Sequence, residues 1–277
     1  MNESGKKYKL GLALSGGGAR GFAHIGVLQF LEECGLRPDV IVGTSAGALM
    51  SVLFADGYSS TEIKTLFTGR EFSEFVSLQI PKTGLFDSSR FRQFVKRIVR
   101  ADNIEELLIP TIIMTTDFDH GKAHAFTRGP VAETVTASCS VPIIFNPVKI
   151  NGIHYVDGGL FHNFPVSIIC DNCETIIGSN VSPIVPSKYN KTIVGIAERS
   201  YHYLFRANTY KDREMCDILI ETDEFGLFKM FDLKNINLLA QIGYKAAERA
   251  FVKYFENKTN NALAINCATK QQNTYLI

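Results

Sequence analysis

The stretch VIVGTSAGALMSVLF, residues 40–54, decides the fold of this chain. Its apolar start is typical of a buried strand and its apolar end is typical of a helix, with GTSAG at residues 43–47 between them. A strand that turns abruptly into a helix strains the residue at the apex, so the flanking positions need small side chains. Gly43 and Gly47 supply that space, and the turn lifts the Ser45 hydroxyl clear of the backbone. We therefore predict that Ser45 is a nucleophile, although G-x-S-x-G alone also fits an ordinary turn with a packing glycine.

A second strand-to-helix turn lies upstream, where the strand-like residues 8–14 run into SGGGARG, residues 15–21. Three consecutive glycines leave bare N–H groups at the start of a helix, which is a cradle for an anion. The G-x-G-x-x-G spacing also matches a dinucleotide fingerprint, but that fingerprint needs an acid at the far end of the second strand. The nearby acid, Asp39, precedes that strand, and no Gly-Lys-Ser or Gly-Lys-Thr follows the glycines. The pattern therefore favours a reacting oxyanion over a nucleotide phosphate.

A serine hydroxyl needs a proton acceptor before it attacks an ester at a useful rate. DGG at residues 157–159 follows the strand-like residues 153–156 and offers Asp157 as a carboxylate base. The isolated tripeptide also fits a hairpin turn, in which an aspartate only shapes the backbone. The need for a base favours the catalytic interpretation.

Together these motifs resemble the patatin-like phospholipase family, and the similarity covers roughly residues 9–183. The stretches that carry it, in order along the chain, are GGGARG at 16–21, GTSAG at 43–47, ASCSVP at 137–142 with Phe145 and Pro147, DGG at 157–159, and LFHNFP at 160–165. Each motif is weak alone, whereas the ordered set is specific.

The resemblance implies an α/β fold, a three-layer α/β/α sandwich with a mostly parallel central sheet, and lipid acyl hydrolysis by a Ser-Asp dyad without a cofactor or metal. Carried over by position, the nucleophile is Ser45 and the base is Asp157. The family arginine, thought to face the oxyanion or a lipid phosphate, corresponds to Arg20. The oxyanion donors correspond to the backbone N–H groups of Gly16, Gly17, Gly18 and Ala19.

Three alternatives stay open from the sequence. His162 and His202 both follow Asp157 and so satisfy the order of a Ser-Asp-His triad, although the resemblance favours the dyad. His24, one turn past the glycine loop, is interpreted as packing or loop support. The same serine would also serve an acyltransferase or a thioesterase, and a non-catalytic lipid-binding protein of the same architecture is the third alternative.

Composition fits an enzyme that acts on a lipid or fatty-acyl ester. The 277 residues are 45% hydrophobic and 21% charged, enough for a full core in one domain. A net charge of +1 argues against a nucleic-acid partner, for which a basic excess is expected. Contact with a membrane surface stays open, because a basic cluster could meet anionic head groups; it comprises Arg90, Arg92, Lys96, Arg97 and Arg100.

The organisation predicted is one patatin-like domain over residues 1–277. Its core spans about 8–185, with a helical insertion over about 60–103, a C-terminal helical layer over about 190–258 and a loose tail at 259–277. The polar start has no targeting segment, so we expect a cytoplasmic location, with peripheral contact to a membrane as an open alternative. The C-x-x-C at residues 170–173 lacks a second ligand pair and is interpreted as structural.

Overall fold

A computed structural model describes residues 5–78, 84–183, 191–193, 195–196, 199–200, 203, 208–230 and 232–272, with side chains up to residue 259. The strands are β1 (Tyr8–Leu14), β2 (Val40–Thr44), β3 (Ser77–Leu78), β4 (Gly84–Asp87), β5 (Thr111–Asp117), β6 (Lys122–Phe126), β7 (Ile143–Phe145), β8 (Val148–Ile150), β9 (Ile153–Asp157), β10 (Cys173–Ser179) and β11 (Ile218–Ile220). The α-helices are α1 (Ala23–Glu33), α2 (Ala46–Ala55), α3 (Ser60–Phe67), α4 (Ser89–Ile98), α5 (Val131–Ser138), α6 (Gly159–His162), α7 (Tyr210–Glu214) and α8 (Ile236–Gln272).

The main sheet has the strand order β11-β10-β1-β2-β5-β9-β8, and β6 also pairs with β5. The pairs from β11 to β5 are all parallel, whereas β6, β9 and β8 join through antiparallel pairs. Every residue of β2 is buried, which explains its unbroken apolar run, because a parallel strand in the middle of a sheet is covered on both faces. The predicted α/β fold with a mostly parallel sheet is confirmed.

Alternate residues of the central strands enter two separate hydrophobic clusters. Leu12 and Ile41 belong to the larger cluster with α1 and α2, whereas their neighbours Ala13 and Val42 belong to a second cluster with Phe164. Since successive side chains on a strand point to opposite faces, the two clusters cover opposite faces of the sheet. This arrangement accounts for the three layers.

The insertion predicted as amphipathic helices contains α3 and α4, but it also contains β3 and β4. These short strands form a second sheet with β7, in the order β3-β4-β7. β4 was missed because its partner β7 comes about 60 residues later in the sequence, as Gly84 lies opposite Ile143. β3 is only two residues long and pairs with β4. Aromatic rings hold the insertion together, through contacts among Phe67, Phe75 and Phe94. Phe67 also contacts Phe22, which attaches the insertion to the core.

The C-terminal part, predicted as a helical layer, contains α7 and α8 but also adds the edge strand β11 to the main sheet, and α8 packs along α1. The helices approach closely, since a Cβ atom at Gly26 would meet the Ala240 carbonyl and one at Gly243 would meet the Ala23 carbonyl. The segment expected to be a loose tail from residue 259 continues α8 as far as Gln272. Among the described residues, none of the helices combines the length and the apolar character needed to cross a bilayer.

Candidate active site

Ser45 occupies the apex of the turn between β2 and α2, as the sequence predicts. Its backbone has φ 53° and ψ −123°, a conformation that L-residues rarely adopt and that stores strain. The flanking glycines are required by close contacts. A Cβ atom at Gly43 would lie 2.5 Å from the Gly47 carbonyl oxygen, and one at Gly47 would lie 2.6 Å from the Ser15 carbonyl oxygen. This turn from β2 into α2, called the elbow below, therefore forms because these two positions carry no side chain.

The pairing register of β5 with its neighbouring strands brings Asp157 next to Ser45. β5 pairs with β6 along one edge, and with β2 and then β9 along the other. On this shared edge Met114 lies opposite Thr44, and the next residue, Thr115, lies opposite Asp157. β9 therefore enters the sheet where β2 leaves it, and its last residue meets the apex of the elbow beside Ser45.

The turn at the end of α5 holds the backbones of Ser45 and Asp157. The Ser45 N–H donates to Ser138 Oγ at 2.8 Å, and this hydroxyl donates to the Met114 carbonyl at 2.7 Å. Two residues later, the Ser140 carbonyl accepts the Asp157 N–H at 2.9 Å. The ASCSVP stretch thus holds Ser45 and Asp157 in one frame, a role that its sequence did not reveal.

Between these residues lies Cys139, a thiol beside the predicted nucleophile. Its burial, and then the nearby Asp157 charge, raise the pKa of the Cys139 thiol, while a hydrogen bond with the Ser45 hydroxyl lowers it to a smaller extent. The thiol is therefore protonated at neutral pH. A protonated thiol is a poor nucleophile, so Cys139 does not compete with Ser45.

The Asp157 carboxyl group is fully buried. Burial raises its pKa to about 7, against lowering by the N–H of Gly159 and by the Ser45 hydroxyl. Asp157 Oδ1 accepts the Gly159 N–H at 2.8 Å, whereas Oδ2 has no hydrogen bond of good geometry within the described ranges. An unpaired buried carboxylate oxygen next to a hydroxyl is suited to accepting its proton.

The glycine loop presents two of its four predicted donors. The Gly16 N–H donates to the Asn163 carbonyl at 2.9 Å, and the Ala19 N–H donates to the Met230 carbonyl at 2.6 Å. The N–H groups of Gly17 and Gly18 have no acceptor in the part of the chain that the structure describes. Gly16 and Ala19 therefore anchor the loop, whereas the N–H groups of Gly17 and Gly18 could donate to an anion.

Arg20 lies under the loop instead of facing the cavity. Its side chain is buried, and its Nε donates to the Phe228 carbonyl at 2.9 Å. Two residues further on, Met230 packs against Gly18. The segment 228–230 therefore supports the loop from the C-terminal region. The sequence analysis missed it, because nothing in these residues shows that they contact a loop some 210 positions earlier.

The histidines have different surroundings. His24 is buried, with Nε2 2.9 Å from the Ser15 carbonyl and Nδ1 3.0 Å from Ser179 Oγ, and burial lowers its pKa to about 4. It is neutral and fixes the strand ends below the loop, as expected for loop support. His162 does not line the cavity, and its carbonyl accepts the Thr44 hydroxyl at 2.7 Å. His202 lies outside the described residues.

Ser45, Asp157 and the glycine loop open onto one cavity of about 140 Å³. Its remaining walls are mostly apolar and come from Phe22, from α2, from the insertion, from the end of α5 with β7, and from the C-terminal segment. The aromatic wall consists of Phe22, Phe67, Phe72, Phe75, Phe91 and Phe145. An apolar cavity with a few polar groups at one end fits a ligand with a hydrocarbon part and one reactive polar group.

Comparison with known proteins gives a consistent result. The family model described as patatin-like phospholipase matches residues 12–169. Patatin-like phospholipase domain-containing protein 7 of Rattus norvegicus is 34% identical over 167 residues, which are 57% of this chain and 12% of that protein. An NTE family protein of Mycobacterium bovis is 32% identical over 192 residues, 66% of this chain and 53% of that protein.

Among solved structures, VipD from Legionella pneumophila has a TM-score of 0.50 at 14% identity, covering 91% of this chain and 69% of that chain. This likeness concerns the fold alone. The chain spans about half the length, or much less, of the curated relatives given above.

Proposed function

Since the chain belongs to the patatin-like phospholipase family, we propose that it is a lipid acyl hydrolase, a phospholipase A or carboxylic ester hydrolase, that uses Ser45 and Asp157 as a dyad. One observation carries the proposal. The strained Ser45, the buried Asp157 and two N–H groups with no acceptor among the described residues border a single apolar cavity.

In the proposed reaction Asp157 accepts the proton of the Ser45 hydroxyl as Ser45 Oγ attacks the ester carbonyl. The carbonyl oxygen becomes an oxyanion and accepts hydrogen bonds from the N–H groups of Gly17 and Gly18. When the C–O bond breaks, Asp157 returns the proton to the leaving alcohol. Water then attacks the acyl-enzyme while Asp157 takes a proton from it. The bond between the acyl carbon and Ser45 Oγ breaks, Asp157 returns the proton to Ser45 Oγ, and the fatty acid is released.

Two residues act on this reaction from a distance. Arg20, expected from the family to face the oxyanion or a lipid phosphate, is proposed here to position the glycine loop through the Phe228 carbonyl. Met230 holds the Ala19 N–H and lines the cavity. Together they keep the loop in the conformation that presents its two remaining donors.

The proposal is tested by labelling the protein with a fluorophosphonate probe and mapping the modified residue, together with fatty-acid release from a phospholipid panel. We expect an adduct on Ser45 and release of free fatty acid. Acyl transfer to an added alcohol or thioester turnover, without net phospholipid hydrolysis, would favour the acyltransferase or thioesterase. Absence of both adduct and turnover would favour a non-catalytic lipid-binding protein.

Gly18→Ala is expected to lower kcat by roughly 10²–10³-fold, the usual cost of losing an oxyanion donor. Gly18 has φ +58°, and an added Cβ would collide with the backbone and side chain of Met230, so the loop must move. Gly121→Ala is the matched control, because Gly121 has φ +64° with nothing within 4 Å of the added Cβ. Both variants place an alanine at positive φ and so share the backbone strain, but only Gly18→Ala should lose turnover. Equal kcat values would contradict the assigned role of the loop.

A further inference from the structure

Ile143 combines two unusual properties at the edge of the cavity. It has φ 73°, a conformation in which a β-branched residue is a genuine outlier, and its side chain is 60% exposed. Two residues on either side, Val141 and Phe145 line the cavity. The strained backbone thus leaves a large apolar side chain in solvent, between two residues that line the cavity, where burial within the protein gives it no stabilisation.

The start of α4 also borders the cavity, and it directly follows β4, whose Gly84 pairs with Ile143 of β7. Phe91 lines the cavity, and its two neighbours, Arg90 and Arg92, are exposed. α4 carries four basic residues and no acidic one in the sequence SRFRQFVKRI. Neither arginine forms an ion pair with an acid within the described ranges.

The nearby acids have other partners. The Asp87 carboxylate, before α4, accepts the Ser89 N–H at 2.8 Å, and Glu74, beside the cavity residue Phe75, pairs with Arg70 at 3.0 Å. Arg70 thus neutralises Glu74, and the charges of Arg90 and Arg92 together exceed that of Asp87, so the net charge of these residues is positive. We call the set Ile143, Arg90 and Arg92 the docking rim.

We propose that the docking rim binds the surface of a phospholipid bilayer that contains anionic lipids, with Ile143 inserted among the acyl chains and the two arginines on head-group phosphates. The inference rests on the proposed function, since docking in this orientation places the cavity opening against the bilayer. Charge complementarity and the exposed apolar side chain near the charges favour this partner, because interfacial binding adds apolar insertion to electrostatic attraction.

The test uses full-length Ser45→Ala protein, so that no lipid is consumed, in co-sedimentation with vesicles of phosphatidylcholine with or without phosphatidylglycerol. We expect binding to the anionic vesicles that weakens as salt is added. Replacing both Arg90 and Arg92 by Gln should weaken it by roughly 10- to 30-fold. The control replaces two exposed basic residues elsewhere, Arg128 and Lys149, by Gln and should change binding little.

Ile143→Asn separates docking from a structural role. Asparagine tolerates the left-handed backbone, so the variant should be at least as stable as the parent, yet bind anionic vesicles roughly 10-fold less. Leu108→Asn, which changes a side chain that is 67% exposed, is the control. Absence of vesicle binding, equal binding to both vesicle types, or unaltered binding by the rim variants would overturn the proposal.

Failure of docking can be told from failure of the proposed function. The rim variants, made in the chain with Ser45 intact, are expected to hydrolyse a soluble short-chain p-nitrophenyl ester at the parent rate. If that ester is hydrolysed and the vesicles are not bound, the rim proposal alone is wrong. If the vesicles are bound through the rim and no ester is hydrolysed, the hydrolase proposal is wrong.

Discussion

Ser45→Ala and Ser45→Gly are both expected to lose ester hydrolysis by roughly 10³-fold or more, yet the glycine variant should be the more stable of the two. Both remove the attacking oxygen. They differ in the backbone, because φ 53° and ψ −123° are strained for any residue with a Cβ atom and relaxed for glycine. Strain of this kind costs about 1–3 kcal/mol. Glycine also has more conformational entropy in the unfolded chain, which reduces the difference in stability between the two variants.

The measurement is urea unfolding of both variants beside the parent, together with hydrolysis of a p-nitrophenyl ester. We expect a difference of about 1 kcal/mol between glycine and alanine at this position. Asn151→Gly is the control, since Asn151 has φ 49° in an exposed turn far from the cavity and its replacement should leave hydrolysis unchanged. An alanine variant as stable as the glycine variant would show that the elbow is not strained, and residual hydrolysis in both would exclude Ser45 as the nucleophile.

The elbow and the glycine loop could be predicted from the sequence because both are local. Small residues between a strand and a helix decide the backbone within about five positions, so Gly43, Ser45 and Gly47 carry their own signal. The meeting of Ser45 with Asp157 is different. It depends on β2 and β9 sharing one edge of β5, and the sequence gives no register for strands more than a hundred residues apart. The resemblance to a family, and not the spacing, supplied that pair.

The sequence could not predict which N–H groups of the glycine loop bind a carbonyl and which have no acceptor among the described residues. The four N–H groups look equivalent in the sequence, and the structure distinguishes them only through the carbonyls of Asn163 and Met230. The position of Arg20 has the same cause, because its acceptor belongs to Phe228. These contacts are made by irregular segments that are distant in the sequence. Such segments show neither the periodicity nor the turn motifs from which structure is predicted.

Replacing Asp157 is expected to lower the activity of the protein while it raises the stability of the fold. In the folded chain burial raises the pKa of Asp157 to about 7 from an ordinary 3.8, so between these values the unfolded chain releases a proton that the folded chain keeps. Stability from this group is therefore greatest below about pH 4, falls as pH rises to about 7, and stays low above it. Each pKa unit corresponds to about 1.4 kcal/mol.

We expect Asp157→Asn to lose roughly 10²–10⁴-fold in kcat/KM, because the proton acceptor is gone, while its amide oxygen still accepts the Gly159 N–H. The variant should also be more stable than the parent at pH 8, by on the order of 2–4 kcal/mol, with a gain that shrinks as pH falls from about 7 toward 4. Urea unfolding across this pH range measures the gain. The parent's kcat/KM should rise with pH through about 7 as Asp157 ionises.

Asp117→Asn provides a control of opposite sign on the same sheet. Its burial would raise the pKa, but the hydrogen bonds of His120, together with the His120 and Lys122 charges, outweigh this and lower it. The ionised Asp117 therefore stabilises the fold above its ordinary pKa, and Asp117→Asn should destabilise the protein at pH 8 without abolishing hydrolysis. If Asp157→Asn instead destabilised the protein at pH 8, with no gain in stability relative to pH 4, Asp157 would be a paired structural carboxylate. The proposed dyad would then have no base.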